Sequence, residues 1–229
     1  MLPWQDQINF LLYHPCFFPL TDGTRHQIGF AFTTFDNQVY FSTRSQWFNH
    51  QKRIAARTVT QMATEKKSVV YALMKYGSQA SMVKSFPTSS SRQETIDDVK
   101  AAIEGVSEPR GNGDIENALQ MALNEMFKKD GKDKKGTNPT VRKTLILFVE
   151  QGSFRPEELT RAALQNSKKL FEERGVTILP VVMGKEADIS VVEPLLLRNR
   201  GQAIAVKDTK SPVTGITDLV GDFNKKGKL

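Results

Sequence analysis

The sequence predicts an α/β fold: a doubly wound, mostly parallel central sheet flanked by helices, preceded by an extra N-terminal segment. Three observations carry that expectation. From about Ile28 onward, strand-like and helix-like segments alternate, which is the pattern of βαβ units. The strand segments include near-continuous apolar runs such as Leu145-Ile146-Leu147-Phe148-Val149, which suit strands buried on both faces. The segments between them carry apolar residues at helical spacing.

Taken in order, the first 26 residues stand outside the alternation, with a candidate strand at 8–13 and a turn at Thr21-Asp22-Gly23-Thr24. Strands are expected at 28–35, 68–75, 144–149, 176–183 and 202–206, each a short run rich in β-branched or aromatic residues. A helix over 47–64 turns Phe48, Ile54, Ala55, Val59 and Met62 inward. Ile96, Val99 and Ile103 form a second stripe, ended by Gly105. Ile115, Leu119, Ala122, Leu123, Met126 and Phe127 form a third, with Asp114 placed as its N-cap. Leu159, Ala163, Leu170 and Phe171 mark a fourth, with Ser153 or Pro156 near its start and Gly175 just past its end. Short elements at 189–197 and 216–223 close the chain. A second reading stays open near the start: residues 27–35 and 39–43, joined by Asp36-Asn37-Gln38, also fit a β-hairpin.

The 229 residues suffice to bury a core without covalent staples. At 39% hydrophobic and 25% charged, the composition is that of a folded globular chain and excludes a disordered one. The single cysteine, Cys16, excludes an internal disulfide framework and a multi-thiolate zinc site. No apolar run approaches the roughly 18 residues that span a bilayer, since residues 8–20 are interrupted by His14, Pro15 and Pro19. The start lacks a basic region and a cleavage site, so no signal peptide is read there. The expected division is an N-terminal extension at 1–26, one domain at 27–225 and a basic tail at 226–229.

Thirty-two basic against 25 acidic residues give a net charge of +7. A basic surface favours acidic partners such as nucleic acid, sulfated glycans or an anionic membrane face. The charge is concentrated in Lys128, Lys129, Lys132, Lys134, Lys135, Arg142 and Lys143, and again in Lys225, Lys226 and Lys228. The ordinary reading is a solvated loop and tail. The functional reading is a site for an acidic polysaccharide, with nucleic acid set aside as a partner.

Several segments, in this order and spacing, resemble the von Willebrand factor type A domain family. Phe48-Asn49-His50-Gln51-Lys52 resembles the start of its first helix, and Ser68 through Ser78 its second strand. Val83 through Phe86-Pro87, then the helix at 94–103, is similar to the next hairpin edge and helix. Asn117 through Phe127 resembles the third helix, Leu145 through Glu150 the central strand, and Phe171 through Val182 the helix and strand after it. The resemblance covers roughly residues 28–224 and lies nearest the matrix and collagen branch.

The resemblance implies a doubly wound sheet with a divalent cation above the carboxyl ends of its strands, where such sheets place ligands. Oxygen ligands from three loops hold it, and a carboxylate from the partner protein completes the shell. The family pattern is Asp-x-Ser-x-Ser after the first strand, Thr before the third helix and Asp after the central strand. With the first strand ending at Phe35, the first loop reads Asp36-Asn37-Gln38-Val39-Tyr40, so Gln38 and Tyr40 replace both serines. Counting back from Phe48 instead selects Gln38, Tyr40 and Ser42. The threonine position falls on Gly113, ahead of Asp114, and the last aspartate becomes Glu150. Losing both hydroxyls and the threonine removes most of the shell, so the expectation is a degenerate site with no metal. The competing reading keeps magnesium or calcium on Asp36, Asp114 and Glu150.

No nucleophile elbow, Walker loop, dinucleotide fingerprint or His-Glu-x-x-His occurs, and His14, His26 and His50 have no spacing suited to a metal or triad. Cys16 reads as buried and inert. Tyr40, Phe41, Trp47 and Phe48 read either as core and edge packing or as an exposed partner patch. The expected function is therefore a non-catalytic protein-binding module of an extracellular matrix assembly. The resemblance suggests collagen or another matrix protein as partner and a secreted location. The alternatives are polyanion binding through residues 128–143, or a structural spacer.

Overall fold

Strand β1 (Arg25–Thr33) has a parallel neighbour on each side, β2 (Ser68–Tyr76) and β4 (Val141–Glu150). Both of its edges are therefore occupied, and the hairpin reading fails. Residues 41–43, the described part of its proposed second strand at 39–43, instead open helix α1 (Phe41–Thr64), six residues before the expected start. β1 also ends at Thr33 rather than at Phe35. The computed structural model describes residues 25–34, 41–64, 68–87, 94–128, 141–150, 157–196 and 202–209. Cys16, His14, the candidate strand at 8–13 and the element at 216–223 lie outside them.

Among the described residues six strands form one sheet in the order β3-β2-β1-β4-β5-β6. β5 is Val176–Met183 and β6 is Ile204–Val206, and both run parallel to their neighbours. Only β3 (Ala80–Lys84) is antiparallel, with a register shift opposite Leu73 and Met74 that leaves Val83 as an extra, exposed residue. At the end of β3 the Lys84 ammonium donates to the Tyr71 main-chain oxygen at 2.7 Å and pairs with Glu94 at 2.8 Å.

The sheet is buried on both faces, which is why its strands read as unbroken apolar runs. On one face Ile28, Phe30 and Phe32 meet Phe48, Ile54, Val59 and Met62 of α1, together with Val99 and Ile103 of α2 (Ile96–Glu104). Phe32 stacks on Phe148 with ring centroids 5.4 Å apart. Of the second helical stripe, Ile96 points outward at 42% exposure. It occupies the first turn after the capping box of Thr95 and Asp98, where the helix has not yet reached the sheet.

On the opposite face Ala31, Met74, Leu145 and Leu147 meet α3 (Ile115–Met121) and α4 (Glu157–Glu173). The single helix expected over 115–127 widens at Ala122–Met126 into a π turn, closed by Phe127 N–H to the Ala122 oxygen at 2.8 Å. The widening lays Met126 and Phe127 over Gly29, where a Cβ would sit 2.1 Å from the Met126 sulfur. Arg174, just past α4, donates to the main-chain oxygens of Leu123 and Phe127, satisfying carbonyls left at the end of the turn. Ile189–Leu195 forms a 3-10 turn capped by Asp188.

Candidate functional site at the carboxyl end of the sheet

The α1 crossover covers one face and α3 and α4 cover the other. The chain thus departs to opposite faces from the adjacent strands β1 and β4, and the carboxyl ends of that pair form the position where doubly wound sheets bind ligands.

The end of β1 is gripped from both sides. Gln51 lies on the core face of α1, one turn after Phe48, and is fully buried. Its Oε1 accepts from Thr33 N–H at 3.0 Å, and its Nε2 donates to the Thr33 oxygen at 3.0 Å. Both orphan groups of the last strand residue are thereby satisfied. From the α3 face, Tyr76 lies opposite Thr33 in register and hydrogen-bonds the Thr33 side chain. Its hydroxyl donates to the Phe148 main-chain oxygen. Complete burial, reinforced by the negative charge of Glu150, pushes the Tyr76 phenol far above its ordinary range, the Thr33 bond opposing only in part. The phenol is thus a permanent neutral donor. Thr33, Thr34 and Glu150 are all buried beside it.

A second strap joins the β2–β3 turn to the start of α3. Asp114 N–H donates to the Gly77 oxygen at 2.8 Å, and Ser78 N–H donates to the Arg110 oxygen at 3.1 Å. The approach is close enough that a Cβ on Gly77 would lie 2.0 Å from the Arg110 oxygen. Gly111 takes a left-handed φ of +77° against Ser78. Asp114 caps α3, its carboxylate accepting from Asn117 N–H at 3.1 Å.

Of the six expected rim residues, the structure places Gly113, Asp114 and Glu150 around this end, linked through Gly77 and Tyr76. Asp36, Gln38 and Tyr40 lie outside the described residues. Among the described residues the oxygen donors are too few for a hard cation of the kind the fold family holds. Gly113 offers no side-chain oxygen, and the Asp114 carboxylate is engaged by the helix it caps. Among the described residues no group of three or more His, Cys, Asp or Glu side chains converges as metal ligands. Gln51, Thr33, Thr34 and Tyr76 were not singled out by the sequence reading. The one available signal was Gln51, a polar residue in the stripe between Phe48 and Ala55.

The described members of the basic stretch lie toward the other end of the sheet. Arg142 and Lys143 open β4 and are half-buried, and exposed Lys128 pairs with Glu125 at 2.7 Å. Lys129, Lys132, Lys134 and Lys135 lie outside the described residues. The aromatic group resolves toward packing where it is described: Phe48 is core, Trp47 is partly buried against it, and Tyr40 and the Phe41 side chain fall outside. His26 and His50 are both buried.

The family model of the von Willebrand factor type A domain matches residues 42–219. The match opens downstream of β1. Among solved structures, proximal thread matrix protein 1 from the mussel byssus aligns with a TM-score of 0.58 at 13% identity, covering 87% of this chain and 44% of its own. The same mussel protein has been solved with zinc in its MIDAS motif. The von Willebrand A domain of SpRpn10 aligns with a TM-score of 0.53 at 16% identity, covering 87% of this chain and 94% of its own. BatB from Bacteroides thetaiotaomicron aligns at 0.56 and 12%, covering 88% and 99%. At these identities the likeness is one of fold, and this chain spans less than half of the mussel protein. No curated protein sequence matches the chain.

Proposed function

The chain belongs to the von Willebrand factor type A domain family, and from that premise we propose that it is a non-catalytic protein-binding module of an extracellular matrix or adhesive assembly. Its partner, a matrix protein such as collagen, binds without a bridging cation. The observation that carries the metal-free mode is the replacement of the family's threonine and aspartate by Gly113 and Glu150, beside a strand end that Gln51 and Tyr76 hold through neutral hydrogen bonds. The mussel neighbour supports the matrix setting through shared architecture. No helix of the described residues is long and apolar enough to cross a membrane.

Magnesium, manganese and calcium are each expected to give no saturable heat on titration and no change in melting temperature relative to chelator. A cation at a hundred times its dissociation constant adds about 2.7 kcal/mol, a rise of roughly 5–10 °C for a domain of this size. A rise of that order, abolished by Asp36→Ala or Glu150→Ala, overturns the metal-free mode. Adhesion to a collagen-coated surface is likewise expected to be insensitive to chelator.

The charge of +7 favours a second reading, in which the stretch from Lys128 to Lys143 holds an acidic polysaccharide. Four charge contacts predict a loss of affinity on the order of a hundredfold between 50 and 200 mM salt, by analogy with counterion release from nucleic acid. Heparin binding that survives neutralising Lys132, Lys134 and Lys135 excludes this site.

A further inference from the structure

His50 is 5% exposed on the core side of α1, and its two ring nitrogens meet different surroundings. Nδ1 lies 3.1 Å from Nη2 of Arg53, one turn further along the helix. A guanidinium only donates, so Nδ1 accepts and the ring proton sits on Nε2. Among the described residues Nε2 has no hydrogen-bond partner. The same Arg53 nitrogen also donates to the Thr209 main-chain oxygen at 3.0 Å, just past the end of β6. One arginine nitrogen therefore ties the imidazole to the chain leaving the sheet.

Among the described residues the charged groups facing the ring are Arg53 from its own helix and Asp208 from the segment after β6. Trp47 packs edge-on at 6.4 Å between centroids. Burial first, and Arg53 second, hold the imidazole below its ordinary 6.5, with Asp208 pulling the other way.

We propose that His50 and Arg53 form an acid-released latch holding the segment after β6 against α1. A proton taken from solvent by Nδ1 turns the acceptor into a donor, so two N–H groups and two positive charges face each other where a hydrogen bond stood. Arg53 then leaves, and Thr209 loses its donor. The direction follows from linkage: the closed form binds the proton less well than the open form, so the open form gains as pH falls through 6.5. Above that pH both forms are neutral and the latch is indifferent to pH.

Amide hydrogen exchange across residues 204–209 of the intact chain tests this, corrected for the intrinsic pH dependence of exchange. Protection is expected to fall, by up to about tenfold, between pH 7.5 and 5.5, while that of β1 stays constant. His50→Asn, whose amide oxygen accepts from Arg53 without titrating, should lose this dependence. Arg53→Met should show low protection at both pH values. An equal pH dependence in the wild type and His50→Asn overturns the latch. So does a wild-type imidazole that titrates at or above 6.5 by NMR, a measurement that needs no variant.

Discussion

Gly77→Ala is expected to destabilise the domain by about 3 kcal/mol, the upper part of the range for overpacking, and to lower its melting temperature by roughly 6–12 °C. The added Cβ would stand 2.0 Å from the Arg110 oxygen. That atom is backbone, so no side-chain rotation relieves the contact. Either the β2–β3 turn or the 110–114 segment must move. Movement breaks the strap of Ser78 N–H to Arg110 and Asp114 N–H to Gly77, and with it the seating of α3 at the carboxyl end of the sheet. Gly175→Ala is the matched control. Gly175 has a φ of +66° but nothing within 4 Å of its Cβ position, so the change costs only the left-handed penalty of about 1 kcal/mol. Urea unfolding of the two variants separates steric cost from conformational cost. Equal losses would show that the Gly77 contact relaxes freely.

Gln51→Leu is expected to cost about 4 kcal/mol, because it leaves the Thr33 N–H and C=O buried without partners at about 1–3 kcal/mol each. Gln51→Glu gives a sharper result. A neutral glutamic acid keeps both bonds, its carbonyl accepting from Thr33 N–H and its hydroxyl donating to the Thr33 oxygen. An ionised one keeps only the first and carries a buried charge. The folded state therefore raises the new carboxyl above its unfolded value of about 4.3. Stability relative to wild type is then greatest below that value and falls as pH rises through it. The variant should approach wild-type stability at pH 4 and fall well short at pH 8, by chemical denaturation. A pH-independent difference would show that Gln51 does not bind the end of β1 in this way.

Much of the architecture was legible because burial on two faces leaves a strong mark. The run from Leu145 to Val149 is apolar at every position and fixes a central strand without further information. Asp114 was readable as a helix cap because capping depends on neighbours three residues away. The candidate site was less legible, because its parts meet only in three dimensions. Thr33-Thr34-Phe35 continues the strand chemistry of β1 without a break, so the strand's end could not be placed, and the first loop was counted from a point two residues too far along. Gln51 satisfies groups eighteen residues upstream, a distance at which no local pattern speaks. The π turn was hidden for a related reason. Leu123, Met126 and Phe127 suit a regular helix equally well, and the bare Cα of Gly29 across the core provides the room for the wider turn.

Lys84 carries a consequence for how copies of this domain can associate. Past the Leu73–Lys84 pair, the Tyr71 carbonyl of β2 lies within reach of the end of β3. The Lys84 ammonium already occupies that acceptor. The bulge at Val83 distorts the outer rim of β3, and among the described residues the far rim of the sheet is a strand of only three residues. Short, bulged and charge-plugged borders are the means by which proteins resist fibrous polymerisation through strand addition. In a crowded setting the domain is therefore guarded against zipping into continuous sheets, and ordered multimers should grow through helix-covered faces or the two ends of the sheet.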